Sequence, residues 1–136
     1  MTKMREAVES LRERKGESLG MGGPEKVERQ HRRGKLTVRE RIDLLFDPET
    51  FQEYGLLASH LMHKPGEKPT PADGVVTGFG RIDGRVAGVI AEDFTVLGGS
   101  TGAVNMCKRL RMMQIATKER VPLVYLLDGG GARIEA

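Results

Sequence analysis

Two apolar-rich runs, Val75–Ile82 and Arg85–Ala91, flank the dipeptide Asp83-Gly84, and no other stretch of the 136-residue chain restricts the fold as tightly. Asp-Gly between such runs selects a type I′ turn, whose central residues take positive φ and whose twist suits paired strands. A lone hairpin is marginal in water and needs further elements to cover it. A helix over about Ala103 to Glu119 follows, and its apolar periodicity predicts Ala103, Met106, Cys107, Leu110 and Met113 inward, with Lys108, Arg109 and Arg111 facing solvent. Val121–Leu127 then reads as a continuous apolar strand, the pattern expected when both faces are covered. The order strand, strand, helix, strand places the chain in the α/β class.

The N-terminal part has another character. Residues 1–46 hold 12 Lys/Arg against 8 Asp/Glu, whereas residues 47–136 hold 10 against 11, and 11 of the 18 glycines lie between Gly74 and Gly131. Met4, Val8 and Leu11 form one thin stripe on a charged helix that Gly20, Gly22, Gly23 and Pro24 interrupt. A short helix over Glu25–Gln30 follows. Leu36–Phe46 gives a third, with Val38, Ile42, Leu45 and Phe46 inward, ending at Asp47-Pro48 because the residue before proline avoids the α region. The expected division is a charged helical region over 1–58, a loop over 59–73 containing Pro65, Gly66, Pro69 and Pro71, and a glycine-rich α/β region over 74–136. No internal repeat is present.

Composition excludes several classes. The longest apolar runs, Val86–Ala91 and Leu123–Leu127, are too short to span a bilayer. The N-terminus lacks a secretory apolar segment, and Glu6, Glu9, Glu13 and Glu17 argue against a mitochondrial presequence. A single cysteine, Cys107, rules out an internal disulfide framework and a multi-cysteine zinc site. The expectation is a cytoplasmic protein. The basic N-terminal region suits phosphate-bearing ligands, but six aromatic residues set apart from it give no base-stacking platform, so neither nucleic acid nor membrane is an expected partner.

The apolar run to Leu127 ends in Asp128-Gly129-Gly130-Gly131-Ala132-Arg133. Three glycines bring bare backbone amides to a sheet edge and admit close approach of a ligand to the main chain. Two amides converging there form an oxyanion hole for an enolate or a tetrahedral species, and a helix starting at Ala132 would add its dipole. A tight turn without a ligand fits the same residues equally well. The loop Leu97–Gly102 resembles a phosphate cradle at a helix N-terminus. It lacks the Lys-Ser/Thr ending of a P-loop and the dinucleotide spacing, and a turn capped by Ser100 or Thr101 explains it as well. His60 and His63 stand in a proline-rich loop with no helix to align them, so no metal is expected. Cys107 reads as a core residue. Arg133 is placed to pair with Asp128 or Glu135, or to meet an anionic substrate, and the sequence leaves all three open.

In order along the chain, a series of stretches resembles the carboxyltransferase subunit of biotin-dependent acyl-CoA carboxylases, of the propionyl-CoA and methylcrotonyl-CoA type. They are Gly34-Lys35-Leu36-Thr37, Arg39-Glu40-Arg41-Ile42, Leu44 to Asp47 with Phe51 and Glu53, and Asp73-Gly74-Val75-Val76-Thr77-Gly78. Gly84-Arg85, Asp93-Phe94-Thr95-Val96, Gly98-Gly99-Ser100 and Asp128 with Gly130-Gly131-Ala132-Arg133-Ile134 complete the series. The resemblance implies a crotonase-like fold of repeated ββα units, here an incomplete N-terminal part preceded by charged helices. It implies transfer of a carboxyl group from carboxybiotin, borne on a carrier domain, to the α-carbon of an acyl-CoA by way of a thioester enolate.

On that resemblance Gly130, Gly131 and Ala132 are the expected oxyanion donors, Gly98, Gly99 and Ser100 lie near the CoA pocket, and a second domain supplies the biotin-side oxyanion hole. The implied partners are a biotin carboxylase and a biotin carboxyl carrier subunit, with hexamers at full length. Gly129 departs from the family, which commonly carries serine there. Family members run several hundred residues further, so the 136-residue chain is expected to be a fragment, inactive alone. A biotin-dependent acyl-CoA decarboxylase subunit and a non-catalytic scaffold binding CoA or a partner are the competing readings.

Overall fold

The computed structural model describes residues 2–60, 66, 67 and 69–134. His63, Pro65, Glu135 and Ala136 lie outside the described residues. Three helices, α1 (Thr2–Leu19), α2 (Pro24–Arg32) and α3 (Val38–Leu45), precede strand β1 (Gln52–Tyr54). Strands β2 (Val75–Ile82) and β3 (Arg85–Glu92), helix α4 (Ala103–Glu119) and strand β4 (Leu123–Leu126) follow. The sheet order is β1-β2-β3-β4, antiparallel except for the parallel pair β3 and β4.

The hairpin forms in the expected register, from Ile82 opposite Arg85 to Val75 opposite Glu92. Asp83 and Gly84 take φ of 49° and 78°, as a type I′ turn requires. The Asp47 carboxylate, at the end of α3, accepts both turn amides, from Asp83 at 3.0 Å and Gly84 at 2.8 Å.

Period-two alternation gives the sheet two covered faces. On one, Val76, Ala87, Val89 and Ala91 pack against Val38, Ile42 and Phe46 from α3. On the other, Val75 and Ile90 pack against Met112 of α4, with Phe79 and Leu123 beside them. Helix α3 begins with a capping box: Thr37 Oγ1 accepts the Glu40 amide at 3.2 Å and the Glu40 carboxylate accepts the Thr37 amide at 2.7 Å. Gly80 lets the Phe46 ring lie on the sheet, since a Cβ there would stand 2.6 Å from it. Phe46 stacks in turn on Phe51 at 5.4 Å between centroids.

Three features differ from the sequence reading. Strand β1 lies in the stretch read as helical. It is three residues long, its side chains do not alternate in polarity, and pairing with β2 is what makes it a strand. Helix α4 has the expected bounds but the opposite face: Asn105, Lys108, Arg109, Met112 and Ala116 are buried, while Ala103, Met106, Cys107 and Leu110 are exposed. The reversal has a physical cause, because Asn105, Lys108 and Arg109 each find buried polar partners that offset their desolvation. Finally, β4 forms the edge of the sheet rather than a strand covered on both faces, with Tyr125 and the following Leu127 exposed.

Helix α1 is exposed along nearly its whole length, Met4, Val8 and Leu11 included. Among the described residues, no helix is long and apolar enough to cross a membrane.

Candidate functional site

The loop after β4 and the loop after β3 lie against one another. Gly130 donates its amide to Gly98 O at 2.9 Å, Thr101 donates to Gly131 O at 2.8 Å, and Arg133 donates to Thr101 O at 2.8 Å. The two glycine segments singled out from the sequence, Gly98-Gly99-Ser100 and Gly130-Gly131-Ala132, are therefore one structural unit. Their approach depends on missing side chains: a Cβ on Gly99 would stand 3.0 Å from Asp128 O and 3.2 Å from Gly129 Cα. Gly131 takes a φ of 102°, a conformation that side-chain-bearing residues rarely adopt. With the Gly130 amide engaged, the amides of Gly129, Gly131 and Ala132 are the loop's available donors; among the described residues no acceptor meets them, and Gly131 and Ala132 form the adjacent pair beyond Gly130.

Side chains hold the loop at both ends. At its start, Asp128 accepts Lys35 Nζ at 2.8 Å and Gln30 Nε2 at 3.0 Å, and donates its own amide to Glu92 Oε2 at 2.7 Å. Lys35 also lies over the Phe94 ring, 5.3 Å from its centroid. At its end, Arg133 pairs with Asp73 at 2.8 Å and donates to Ser100 O at 3.1 Å. Arg133 does not pair with Asp128, one of the options the sequence left for it; its carboxylate partner among the described residues lies 60 residues upstream, and Glu135 is outside the described residues. Gly129 is seated beside the Glu92 carboxylate, where a Cβ would come within 2.6 Å of Oε2 and 2.8 Å of Gly99 O. A serine at this place would require a shift.

The N-terminus of α4 is not open to a phosphate in the way the cradle reading supposed. Neither Ser100 nor Thr101 caps it. The N-cap is Gly102, without a side-chain bond, and the Asp73 carboxylate accepts the Asn105 amide at 2.8 Å. A carboxylate of the chain itself thus occupies the favourable end of the helix dipole. Ser100 Oγ donates instead to Leu97 O at 2.7 Å.

Among the described residues, three ionisable groups depart from their ordinary behaviour. Burial brings the Lys108 ammonium down to about 8, against support from the carboxylates of Glu53 and Asp73. Its Nζ donates to the carbonyls of Ala72 and Val75. Burial raises the Asp93 carboxyl, while Thr95, donating from both its amide and its hydroxyl, opposes that rise. The Glu40 carboxyl is lowered, chiefly by the Thr37 amide that it accepts in the capping box.

A separate cavity of about 240 Å³ opens between Tyr54, Gly55 and Thr77 on one side and Val104, Cys107, Lys108, Arg111 and Met112 on the other. None of the glycine-loop residues lines it. Cys107 is exposed rather than in the core. Among the described residues, no cluster of His, Cys, Asp or Glu is arranged to hold a metal ion. Sequence reasoning missed Asp73, Glu92, Asn105 and Arg109. The one signal available for the last two was polar residues four apart on a helix, which can meet each other side by side.

A family model described as the carboxyl transferase domain matches residues 29–136. The propionyl-CoA carboxylase carboxyltransferase subunit of Haloferax mediterranei is 43% identical over 134 residues, 97% of this chain and 26% of that protein. The methylmalonyl-CoA decarboxylase subunit alpha of Veillonella parvula is 41% identical, covering 99% of this chain and 27% of its own length. Among solved structures, a transcarboxylase 12S hexamer with methylmalonyl-coenzyme A and methylmalonic acid bound matches with a TM-score of 0.89 and 40% identity. That match covers 96% of this chain and 26% of the other. The chain spans about a quarter of the length of the relatives it matches.

Proposed function

Because this chain belongs to the carboxyl transferase domain family, with the crotonase-like fold of its structural neighbours, we propose that it serves the carboxyltransferase component of a biotin-dependent acyl-CoA carboxylase. The observation that carries this reading is the pair of available amides at Gly131 and Ala132, in a loop fixed at both ends. Two adjacent N–H donors suit an oxygen that gains negative charge during the reaction, and they need no reorganisation when it does so. That oxygen is the thioester oxygen of an acyl-CoA whose α-carbon has lost a proton. Carboxybiotin, brought by a carrier domain, would supply the carboxyl group as CO2 when its N–C bond breaks; the freed ureido nitrogen would accept the α-proton, and the α-carbon of the resulting enolate would then bond to the CO2. The chain's own part is to hold the thioester oxygen on the amides of Gly131 and Ala132. The Gly98-Gly99-Ser100 loop, hydrogen-bonded to Gly130, lines the CoA side.

The proposed partners are a biotin carboxylase and a biotin carboxyl carrier subunit, and the proposed assembly is a hexamer, as in the 12S neighbour. A second reading, decarboxylation of an acyl-CoA onto biotin, draws support from the 41% identity to the Veillonella parvula decarboxylase subunit. The site chemistry is the same in reverse.

The test is biotin-dependent fixation of labelled bicarbonate onto propionyl-CoA and acetyl-CoA by the complete gene product with both partners. Gly131→Ala keeps the amide but is strained at a φ of 102°, which turns the donor away from the oxygen; kcat is expected to fall by about 10²-fold, the scale on which an oxyanion-hole donor contributes. Partner-complete enzyme that neither fixes bicarbonate nor decarboxylates a malonyl-type CoA overturns the reading, as does a Gly131→Ala enzyme of unchanged rate.

A further inference from the structure

We propose that Asp73 and Glu92, two buried carboxylates away from the reacting atoms, are positioning residues that hold the exit and the entrance of the glycine loop. The proposal rests on the reading of Gly131 and Ala132 as oxyanion donors.

Asp73 is wholly buried and Glu92 only 8% exposed. Burying a carboxylate is costly, so each must have compensating partners. Those partners converge on the loop. Glu92 Oε2 accepts the amide of Asp128, the last residue before the glycines, and Glu92 Oε1 accepts Arg109 Nη2 at 2.8 Å. Asp73 Oδ1 accepts Arg133 Nη1, on the residue immediately after the donor pair, and Arg133 also reaches Ser100 O.

Asn105 joins the two anchors. It donates its amide to Asp73 Oδ2, donates Nδ2 to Asp73 O at 2.9 Å, and accepts Arg109 Nε at 2.7 Å. One continuous chain of hydrogen bonds thus runs from Asp128 through Glu92, Arg109, Asn105 and Asp73 to Arg133. Between its ends stand Gly129, Gly130, Gly131 and Ala132, which have almost no side chain with which to fix themselves. Glycine has the widest backbone freedom of any residue, so the direction of the two donor amides is set from outside the loop. Reacting groups must be placed to within about half an ångström for full rate, and this frame supplies that constraint at the loop's two ends, alongside the backbone bonds of Gly130 and Gly131 to Gly98 and Thr101.

Conservative variants test the proposal in the complete, partner-assembled protein. Glu92→Gln keeps the volume and an acceptor for Asp128 but loses the charge that fixes Arg109. Arg133→Lys keeps the charge facing Asp73 but loses the fork to Ser100. Hydrogen–deuterium exchange is compared between peptides covering 127–134 and peptides covering 75–91. The expected result is about tenfold faster exchange confined to 127–134, with kcat down by about 10- to 100-fold and the KM for acyl-CoA unchanged. Arg133→Met should be worse than Arg133→Lys in both readouts. Exchange that rises equally in both peptides, or a loop and kcat that do not change, overturns the proposal. If the wild-type assembly has no transfer activity, the oxyanion reading fails, while the exchange comparison still decides whether the frame fixes the loop.

Discussion

Lys108 places its ammonium among backbone carbonyls, and burial brings it down to about 8 from an ordinary 10.5. The sign of the resulting pH dependence is fixed. Below about 8 the folded and unfolded chains both hold the proton; between about 8 and 10.5 the unfolded chain alone still binds it, so folding becomes more favourable as pH rises through that window. The full gain at the top of the window is about 3 kcal/mol. Chemical denaturation of wild type and Lys108→Met between pH about 7 and about 10 should show this rise in the wild type and a flatter profile in the variant. At the same scale, the candidate site was half legible. Gly130, Gly131 and Ala132 stand out as consecutive small residues after an apolar run, a pattern that a tight turn explains equally well. Asp73 and Glu92 do not, because a carboxylate in a sequence looks the same whether solvated or buried; only the partners Arg133 and Arg109, 60 and 17 residues away, distinguish them.

Elements were read more securely than their orientations. The hairpin was legible from Asp83-Gly84, and α3 from Val38, Ile42 and Phe46, because in both a local pattern and the tertiary packing agree. Helix α4 shows what happens when they disagree. Its largest apolar residues recur on one face, yet Met112, from outside that set, enters the core beside Asn105, Lys108 and Arg109. Met112→Ala is expected to cost about 2–5 kcal/mol of stability, and Met106→Ala less than about 1 kcal/mol, because Met106 is exposed. Thermal melts of the two variants check the assignment, and a larger loss at Met106 would restore the original face. Strand β1 was invisible for a different reason: three residues are too few for a period, and its register is dictated by β2.

On the scale of the molecule, the outward face of α4 and the edge strand β4 leave Met106, Leu110, Tyr125 and Leu127 in solvent. Apolar surface of this kind favours association. The 136-residue chain is expected to self-associate at raised concentration, and Leu110→Lys to reduce that tendency; sedimentation velocity over a concentration series measures both. The ion pair between Asp73 and Arg133 has a consequence for the order in which the chain is made. Asp73 is synthesised with the hairpin, but its counter-charge follows 60 residues later. A nascent chain that has completed β2, β3 and α4 would bury that carboxylate with the Asn105 amide and the Lys108 ammonium nearby but without its ion-pair partner Arg133, which leaves it under-compensated. The early segments therefore have reason to stay open on the ribosome until the glycine loop has emerged, and the arrival of Arg133 sets the moment at which they lock.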